Sequence, residues 1–453
     1  MTQKNDMNRY ENMSVSNAIL TNAIPAIAAM LMILIYNLAD TFFVGKTNDP
    51  IQIASVALTT PVFLIYSALG TVFGMGGTSV ISRAFGEGRR DYARKVSSFC
   101  MWGCVFAGTL TSVLLVVFLR PLLTAMGASE DVYPYASSYL RIAALCGPFS
   151  LISNCFTNVL RAEGQSSKAM MGQLIGNLLN VILDPILILS MKMGVVGAAV
   201  ATVIGNLVAA GYYLLHFWSG KSTLSISLKD FTLGEKVFTS VLAIGIPACL
   251  GQLLMSISQM VVNGMMASYG DLAVAGYGVA TKANMIVSTF ALGLGQGVAP
   301  LLGYSFGSGN REKLLEYLKY SLIYSLILGV VCQAICYLGS SAIINAFLSS
   351  RESEEFIRGL HFFKILMVTD FLFGVYYVLV NCLQAMGKSL ASFIVNASRQ
   401  GLIYIPLAIM LNGLLKEDGL AYAQPISDII STLMTILLTV IALRQYKKLK
   451  QAA

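Results

Sequence analysis

The feature that most constrains this chain is a series of about twelve long apolar stretches separated by short polar loops. A helix needs about 20 mostly apolar residues to cross the hydrocarbon core of a bilayer. Continuous apolar runs fit such helices better than the alternating strands of a membrane barrel. The sequence therefore predicts an all-α integral membrane protein. We number the stretches as spans 1 to 12, near residues 17–45, 53–82, 96–119, 133–160, 168–190, 194–218, 237–267, 272–305, 314–348, 356–385, 389–413 and 419–443.

The distribution of charge supports this interpretation and orients the chain. Charged residues make up 11% of the sequence, against about 25% in soluble domains. The net charge of +8 comes mainly from loops on the side of the N-terminus, which carry 20 Lys and Arg residues against six on the other side. Because cytoplasmic loops are enriched in basic residues, we expect both termini in the cytoplasm. The basic excess thus indicates a lipid bilayer, not nucleic acid, as the partner.

An internal repeat sets the predicted architecture. Five short motifs recur in the same order in the two halves, with offsets between 221 and 223 residues. Each match alone is weak, but five in order at a nearly constant offset are hard to obtain by chance. They are Ile24-Pro25 with Ile246-Pro247, Gly74-x-Gly76 with Gly295-x-Gly297, Phe85-Gly-x-Gly88 with Phe306-Gly-x-Gly309, Leu160-x-Ala-x-Gly164 with Leu383-x-Ala-x-Gly387, and Gly197-x-Ala199 with Gly419-x-Ala421.

A repeat of six spans is even, so both copies enter the membrane from the same side. We therefore expect two six-helix bundles, residues 1–218 and 236–453, related by a pseudo-two-fold axis along the membrane normal with a central cleft. Residues 219–235 form the predicted cytoplasmic linker. Such an arrangement suits alternating access, so a transporter is favoured over a channel. No ATPase motif is present, and an ion gradient or a partner is the expected energy source.

Most acidic residues lie in loops or at the ends of spans, and four fall within the spans: Asp40, Asp184, Asp370 and Asp428. A central Asp costs roughly 2.5 to 3.5 kcal/mol on insertion scales, so each is a functional hypothesis. None of the four is duplicated by the repeat, and the repeated scaffold therefore does not require them. An ordinary hydrogen bond or salt bridge between helices remains the alternative for each.

The first-half acids have polar neighbours at helical spacing. Asn37 shares a face of span 1 with Asp40, and Asn180 shares a face of span 5 with Asp184. Pro185 has no N–H to donate to the preceding turn. Carboxylate and amide oxygens suit a hard monovalent cation such as Na⁺, held at Asp40, Asn180 and Asp184, or a carboxyl cluster that exchanges protons.

Three further polar residues are candidates to complete this first-half pocket. They are Thr202 on span 6 and Asn154 or Asn158 on span 4. Each, taken alone, is more often an ordinary hydrogen bonder between helices. We keep both interpretations open at this stage.

In the second half, Asp370 and Asp428 accompany three intramembrane bases, Lys282, Lys364 and Arg399. Two hypotheses stay open: Lys282 forms an ion pair with Asp428, or these groups contact a charged substrate. Methionine and tyrosine side chains offer an adaptable apolar wall, although helix packing explains such residues as well. The candidate substrate-cleft residues are Tyr36, Met255, Gln259, Lys282, Met285, Asp370 and Asp428.

Enzymatic chemistry has no support in the sequence. It contains two histidines and no Cys-x-x-Cys pair, and no credible nucleophile–base pair or metal-ligand cluster emerges. We therefore expect no enzyme activity, no catalytic residue, and no metal or cofactor apart from the coupling ion, H⁺ or Na⁺.

The motifs of the first half resemble those of the multidrug and toxic compound extrusion (MATE) family, in its bacterial MepA-like branch. The likeness covers essentially the whole chain. One departure is span 7, which offers Gln252, Gln259 and Asn263 but no carboxylate, whereas one branch of the family has an acid there. The motifs are Asn37-Leu-Ala-Asp40-Thr-Phe-Phe-Val-Gly45, Ser82-Arg-Ala-Phe-Gly-Glu-Gly88, Leu160-Arg-Ala-Glu-Gly-Gln165, Asn180-Val-Ile-Leu-Asp-Pro185 and Gly197-Ala-Ala-Val-Ala-Thr202.

The resemblance implies a V-shaped fold of twelve helices in a bacterial cytoplasmic membrane. It implies multidrug efflux by antiport, with organic cations exported as small-molecule substrates against inward H⁺ or Na⁺ flow. Cation coupling in such relatives uses positions that match Asp40, Asn180, Asp184 and Thr202. We expect a monomer. The alternative is a lipid-linked saccharide flippase of the same superfamily, which needs a hydrophilic or strongly basic cleft.

Overall fold

A computed structural model describes residues 13–47, 49–347 and 353–452, and within these ranges the chain is helical with no strand. Long helices alternate with short connections, as continuous apolar segments require in a bilayer. The helices are α1 (Val15–Gly45), α2 (Pro50–Gly86), α3 (Arg90–Val117), α4 (Leu119–Ala125), α5 (Tyr133–Ala162), α6 (Ser166–Asp184), α7 (Val195–Trp218), α8 (Val237–Ala267), α9 (Asp271–Gly307), α10 (Arg311–Leu338), α11 (Ser340–Phe347), α12 (Glu354–Leu366), α13 (Phe371–Ala385), α14 (Ser389–Ala397), α15 (Tyr404–Leu415) and α16 (Glu417–Ala452).

The predicted spans are confirmed, with one of them broken. In the described part of the chain, 11 helices are long and apolar enough to cross a membrane. The twelfth span is a pair of helices, Glu354–Thr369 and Phe371–Ala385, bent by 48°. Spans 3 and 9 end earlier than predicted, because their helices stop at Val117 and Leu338 and short helices follow.

The chain divides into two compact units, and their borders lie inside helices. The first unit contains Ala28–Cys249, and the second contains Ser14–Ile27 together with Leu250–Ala453. The borders follow Pro25 in α1 and Pro247 in α8, the two prolines that the sequence repeat relates. The packing units therefore differ from the sequence repeats 1–218 and 236–453, since each repeat gives the start of its first helix to the other unit.

Glycines make this exchange possible. In the first unit, Gly76 and Gly245 bring α2 and the start of α8 together, since a Cβ on either would meet a backbone carbonyl of the other helix. In the second unit, a Cβ built on Gly293 or Gly297 of α9 would lie 2.6 Å from a Cα atom of α1. Small residues of this kind let membrane helices approach to backbone contact.

The linker predicted at residues 219–235 is docked along the first unit and does not run free. Glu163, at the end of α5, accepts hydrogen bonds from Ser222 Oγ and Thr223 Oγ1 at 2.7 Å each. Further contacts tie the linker to α3: Trp102 to Ile226, Ser98 to Ser227, Arg94 to Asp230, and Lys95 to Glu235. The polar composition that marked this segment as a linker thus supplies its anchors.

A second polar tie joins α2 to α7, the helix that carries Thr202. Asp49 caps α2, with Oδ1 accepting from the Ile51 N–H at 3.0 Å. Gln52 donates to Asp49 Oδ2 at 3.0 Å and accepts from the Val195 N–H at 3.0 Å. The hydrogen bond from Gln52 holds the pKa of Asp49 below its usual value. This contribution is present at neutral pH and is lost when acid protonates Asp49.

The glycine contacts generate a stability prediction. We expect Gly297→Ala to lower the melting temperature and the folded yield, because its Cβ would lie 2.6 Å from Ala23 Cα; overpacking of this kind costs about 1–3 kcal/mol. Gly278→Ala in the same helix is the matched control, since a Cβ there has nothing within 4 Å. Thermal unfolding of the purified protein compares the two, and equal melting temperatures would contradict the proposed packing.

Candidate ion-coupling site

The first unit brings four of the predicted coupling residues into one polar cluster. Asp40 of α1 and Asp184 at the end of α6 are close enough to interact electrostatically. Asn180 donates from Nδ2 to Thr202 Oγ1 at 3.3 Å. The Tyr36 side chain is hydrogen-bonded to the same Thr202. Spans 1, 5 and 6 therefore meet at this cluster, as the spacing of their polar residues predicted.

The local sequence explains how α6 and α7 deliver these side chains. A Cβ built on Gly205 would lie 2.7 Å from the Gly176 carbonyl oxygen and 3.3 Å from Asn180 Cβ. The two glycines thus permit a close approach that sets Asn180 beside Thr202. Beyond Asp184 the helix changes to π-helical geometry over Pro185–Ser190, because Pro185 cannot continue the α-helical hydrogen bonding. Single π-helical turns of this kind occur frequently at functional sites.

The electrostatics of the cluster centre on Asp40. Its Oδ1 atom is buried and has no hydrogen-bond partner among the described residues. Asp40 also forms no salt bridge within the described ranges. Asp184 and Asn180 are 0% and 2% exposed. A buried carboxylate without a partner is costly unless it is neutralised, so this position suits a bound cation or proton.

Three further predicted coupling residues of the first unit are Asn154, Asn158 and Asn37, and none of their contacts described here involves Asp40. Asn154 packs against Gly70, and Asn158 accepts from Arg161 Nη1 at 3.3 Å and donates to the Asn154 carbonyl at 3.0 Å. The approach of Gly70 and Asn154 joins α2 to α5, whereas both hydrogen bonds lie within α5. Asn37 is exposed on α1. A role for these three residues in coupling stays a prediction.

Two tyrosines, Tyr36 and Tyr139, lie beside the polar cluster. Both lie within electrostatic reach of Asp40 and Asp184. The role of Tyr36 in a substrate cleft stays a prediction. Tyr139 is 5% exposed, and its ring meets Phe63 edge-on at 5.7 Å. The sequence signal for the place of Tyr36 is its position, one turn before Asp40 on α1.

The second unit contains a buried ion pair that corrects a prediction. Asp428 Oδ1 accepts from Arg399 Nε at 2.7 Å, with the side chains 2% and 5% exposed. The predicted pairing of Lys282 with Asp428 is therefore wrong, and Lys282 is exposed on α9. A guanidinium presents five N–H donors in a rigid plane and is more weakly hydrated than an ammonium, which explains why Arg399 is the buried partner.

Aromatic rings surround the same guanidinium. Its carbon atom lies 4.7 Å from the Phe373 ring, 4.8 Å from the Tyr376 ring and 5.5 Å from the Tyr377 ring. Arg399 Nη1 also donates to the Tyr377 hydroxyl at 3.3 Å. Arg399 itself stands in a π-helical segment, Ser398–Leu402. Spans 10, 11 and 12 are thus held together around one positive charge.

Asp370 lies at the break of span 10 and is 0% exposed. Its side chain is hydrogen-bonded to Asn284, and it interacts electrostatically with Asp428 and Arg399. At the same break, Gln333 Oε1 accepts from the Phe371 N–H at 3.1 Å. The broken helix is therefore capped by a side chain from α10. Asp370 and Asp428 are both buried inside the second unit.

The remaining substrate-cleft candidates lie on α8 and α9. Met255 and Met285 are 45% and 44% exposed, and Gln259 is half-buried. Their role in substrate binding stays a prediction.

Comparisons with known proteins agree with the repeat and the fold. The MatE family model matches residues 25–186 and again residues 247–410, which confirms the internal duplication. Multidrug export protein MepA of Staphylococcus haemolyticus is 29% identical over 429 residues, covering 94% of each chain. A crystal structure described as MATE in complex with MaL6 has a TM-score of 0.93 at 25% identity, covering 99% of this chain and all of its own. An outward-facing multidrug resistance MATE family transporter of the MOP superfamily has a TM-score of 0.93 at 24% identity over 99% of each chain.

The contact between Asn180 and Thr202 is testable by a double-mutant cycle. We expect a coupling of about 1 kcal/mol between Asn180→Ala and Thr202→Val, because the hydrogen bond is lost when either partner is removed. Thermal or denaturant unfolding of the four purified proteins measures it. Thr202→Ser, which keeps the hydroxyl, is the matched control and should retain most of the coupling. Additive effects of the two substitutions would show that the bond contributes nothing.

The ion pair of the second unit makes a contrasting prediction. Asp428→Leu alone should destabilise the protein by about 3–5 kcal/mol, because it leaves a buried guanidinium without its carboxylate. Arg399→Met with Asp428→Leu removes both charges and should cost much less. Unfolding measurements on both proteins check this. A double variant as unstable as the single one would be inconsistent with a buried pair.

Proposed function

The chain belongs to the MatE family, and we propose that it is a cation-coupled multidrug antiporter that exports organic, mostly cationic amphiphilic compounds by alternating access. Family membership makes it a multi-pass membrane transporter and not an enzyme. The MepA relatives are named for multidrug export. The proposal extends that activity to this chain and adds a coupling ion, H⁺ or Na⁺.

The observation that carries the proposal is the state of Asp40. Its buried Oδ1 atom has no partner among the described residues, while Asp184 lies within electrostatic reach. A carboxylate that has a fixed positive partner has no need of an exchangeable ion. Among the described residues Asp40 has no such partner, and a free cation or proton is the group that can neutralise it.

Binding and release at this cluster provide a route to coupling. Na⁺ prefers oxygen ligands, and the first unit offers the carboxylates of Asp40 and Asp184 with the amide oxygen of Asn180. A proton needs only one of the carboxylates. In either case the cluster alternates between a charged and a neutralised state. Coupling follows if the two states differ in their preference for inward- and outward-open conformations.

The substrate side of the proposal uses the second unit. Met255 and Met285 present flexible, polarizable side chains, which suit apolar substrates of varied shape. We propose that Gln259 and Lys282 of the same unit add polar contacts. The chain is proposed to work as a monomer in a bacterial cytoplasmic membrane. Both termini are placed in the cytoplasm on the basis of the excess of Lys and Arg in the loops of that side.

Dye efflux under an imposed gradient tests the coupling site. Asp40→Asn and Asp184→Asn should each reduce gradient-driven efflux from loaded cells at least about tenfold. An amide does not bind and release a proton as a carboxylate does, and it has no negative charge to neutralise a bound cation. Everted vesicles with an imposed pH or Na⁺ difference identify the coupling ion. Asp131→Asn, which changes an exposed acid outside the spans, is the matched control and should transport normally.

The outcomes separate the candidate functions. Full gradient-driven efflux in both site variants would falsify the coupling role of Asp40 and Asp184. Failure of the unchanged protein to move any dye, combined with binding of lipid-linked saccharides, would favour the flippase alternative. A transporter driven by one gradient and silenced by both substitutions supports the proposed antiporter.

A further inference from the structure

The two units treat their buried carboxylates in opposite ways. In the first unit, spans 5 and 6 present Asn180, Asp184 and Thr202 to a cluster in which Asp40 has no fixed positive partner among the described residues. In the second unit, the repeat-related spans 11 and 12 present Arg399 and Asp428. Gln424, which the repeat offset of 222 residues matches to Thr202, donates to Asp428 Oδ1 at 2.9 Å. A positive charge thus occupies the second unit permanently.

The surroundings of Arg399 form a binding site for a planar cation. Phe373, Tyr376 and Tyr377 supply ring faces between 4.7 and 5.5 Å from the guanidinium carbon. Asp428 and the Tyr377 hydroxyl accept its hydrogen bonds. Aromatic cages with a nearby carboxylate are the surroundings in which proteins hold organic cations. Here the cation between the rings is the guanidinium of Arg399, which belongs to the chain itself.

The pocket keeps one unused acceptor. Asp428 Oδ2 is buried and has no hydrogen-bond partner among the described residues. Asp370 interacts electrostatically with the pair and is hydrogen-bonded to Asn284. Without the Arg399 side chain, the cage and the Asp428 carboxylate would be left with a net negative charge and space for a small cation.

We propose that Arg399 is a tethered cation that permanently fills an organic-cation site in the second unit, and that its removal opens this site to free guanidinium. Guanidinium is favoured over Na⁺ because the three rings stabilise a planar, weakly hydrated cation. As long as Arg399 is present, this site exchanges no ion. Ion exchange is therefore left to groups outside it.

This inference rests on the proposed function in one respect: the division of roles between the units assumes that the first unit couples ions to transport. The binding of guanidinium does not depend on it. Its test measures ligand binding to the second unit and does not use efflux. A failure of dye transport and a failure of guanidinium binding are thus separate results.

The experiment uses the purified full-length protein with Arg399→Ala and guanidinium chloride at low millimolar concentration. We expect guanidinium to raise the melting temperature of this variant by about 3 °C in a saturable manner. Urea, a neutral molecule of similar shape, and NaCl at equal concentration should leave it unchanged. The unchanged protein should not respond, because its own guanidinium fills the site.

Two further variants control the specificity of the effect. Arg141→Ala removes an exposed arginine of a membrane span and should show no response to guanidinium. Arg399→Ala with Asp428→Asn removes the carboxylate as well and should lose the response. Equal stabilisation by urea, a response in the double variant, or no response in Arg399→Ala would each overturn the proposal.

A mirror variant carries the test if Arg399→Ala gives no folded protein. In Asp428→Ala the guanidinium stays and its carboxylate is missing, so free acetate should stabilise this variant in a saturable manner and chloride should not. A folded Asp428→Ala protein that ignores acetate would also overturn the proposal, because the cage would then hold Arg399 without an exchangeable counter-ion site.

Discussion

The structure depends on one constraint: the bilayer core contains no water, so each polar group inside it needs a partner in the protein. The long helices satisfy this for the backbone. Where a helix breaks, a side chain takes over, as Gln333 does for the Phe371 N–H at the bend of span 10. The two π-helical segments beside Asp184 and around Arg399 are further places where regular hydrogen bonding changes. The irregular backbone thus coincides with the buried charges.

Close helix packing brings the polar side chains of different helices within reach of one another. Gly176 and Gly205 let α6 and α7 meet, which sets Asn180 beside Thr202. Gly293 and Gly297 let α9 accept the start of α1. The start of each repeat's first helix consequently packs within the unit formed by the other repeat. A duplicated sequence has therefore produced two units that share their first helices, with the borders next to Pro25 and Pro247.

An isolated charge is costly inside an apolar span, and the two units differ in how they neutralise their buried acids. Asp428 has a fixed partner in Arg399. Asp40 has no salt-bridge partner among the described residues, so no fixed positive charge there neutralises it. The repeat had already separated the two halves, because none of the four acids recurs at the matching position. The contacts explain that asymmetry: the second unit contains a buried ion pair, whereas Asp40 in the first unit has none among the described residues.

The sequence by itself determined the twelve spans, the internal repeat and the acids of interest, because hydrophobic length and helical spacing are properties of the chain alone. It also predicted which side chains share a helix face, and Asp40, Asn180, Asp184 and Thr202 do meet. Only the tertiary structure decided which neighbour each face meets. One of the two hypotheses from the sequence paired Lys282 with Asp428, yet the packing of spans 10 to 12 brings Arg399 to it. The tertiary structure also decided that the linker docks on the first unit and that Asn154 packs on α2. The reason is that partner choice depends on helix rotation and close packing between segments distant in sequence, which residue spacing along one helix does not encode.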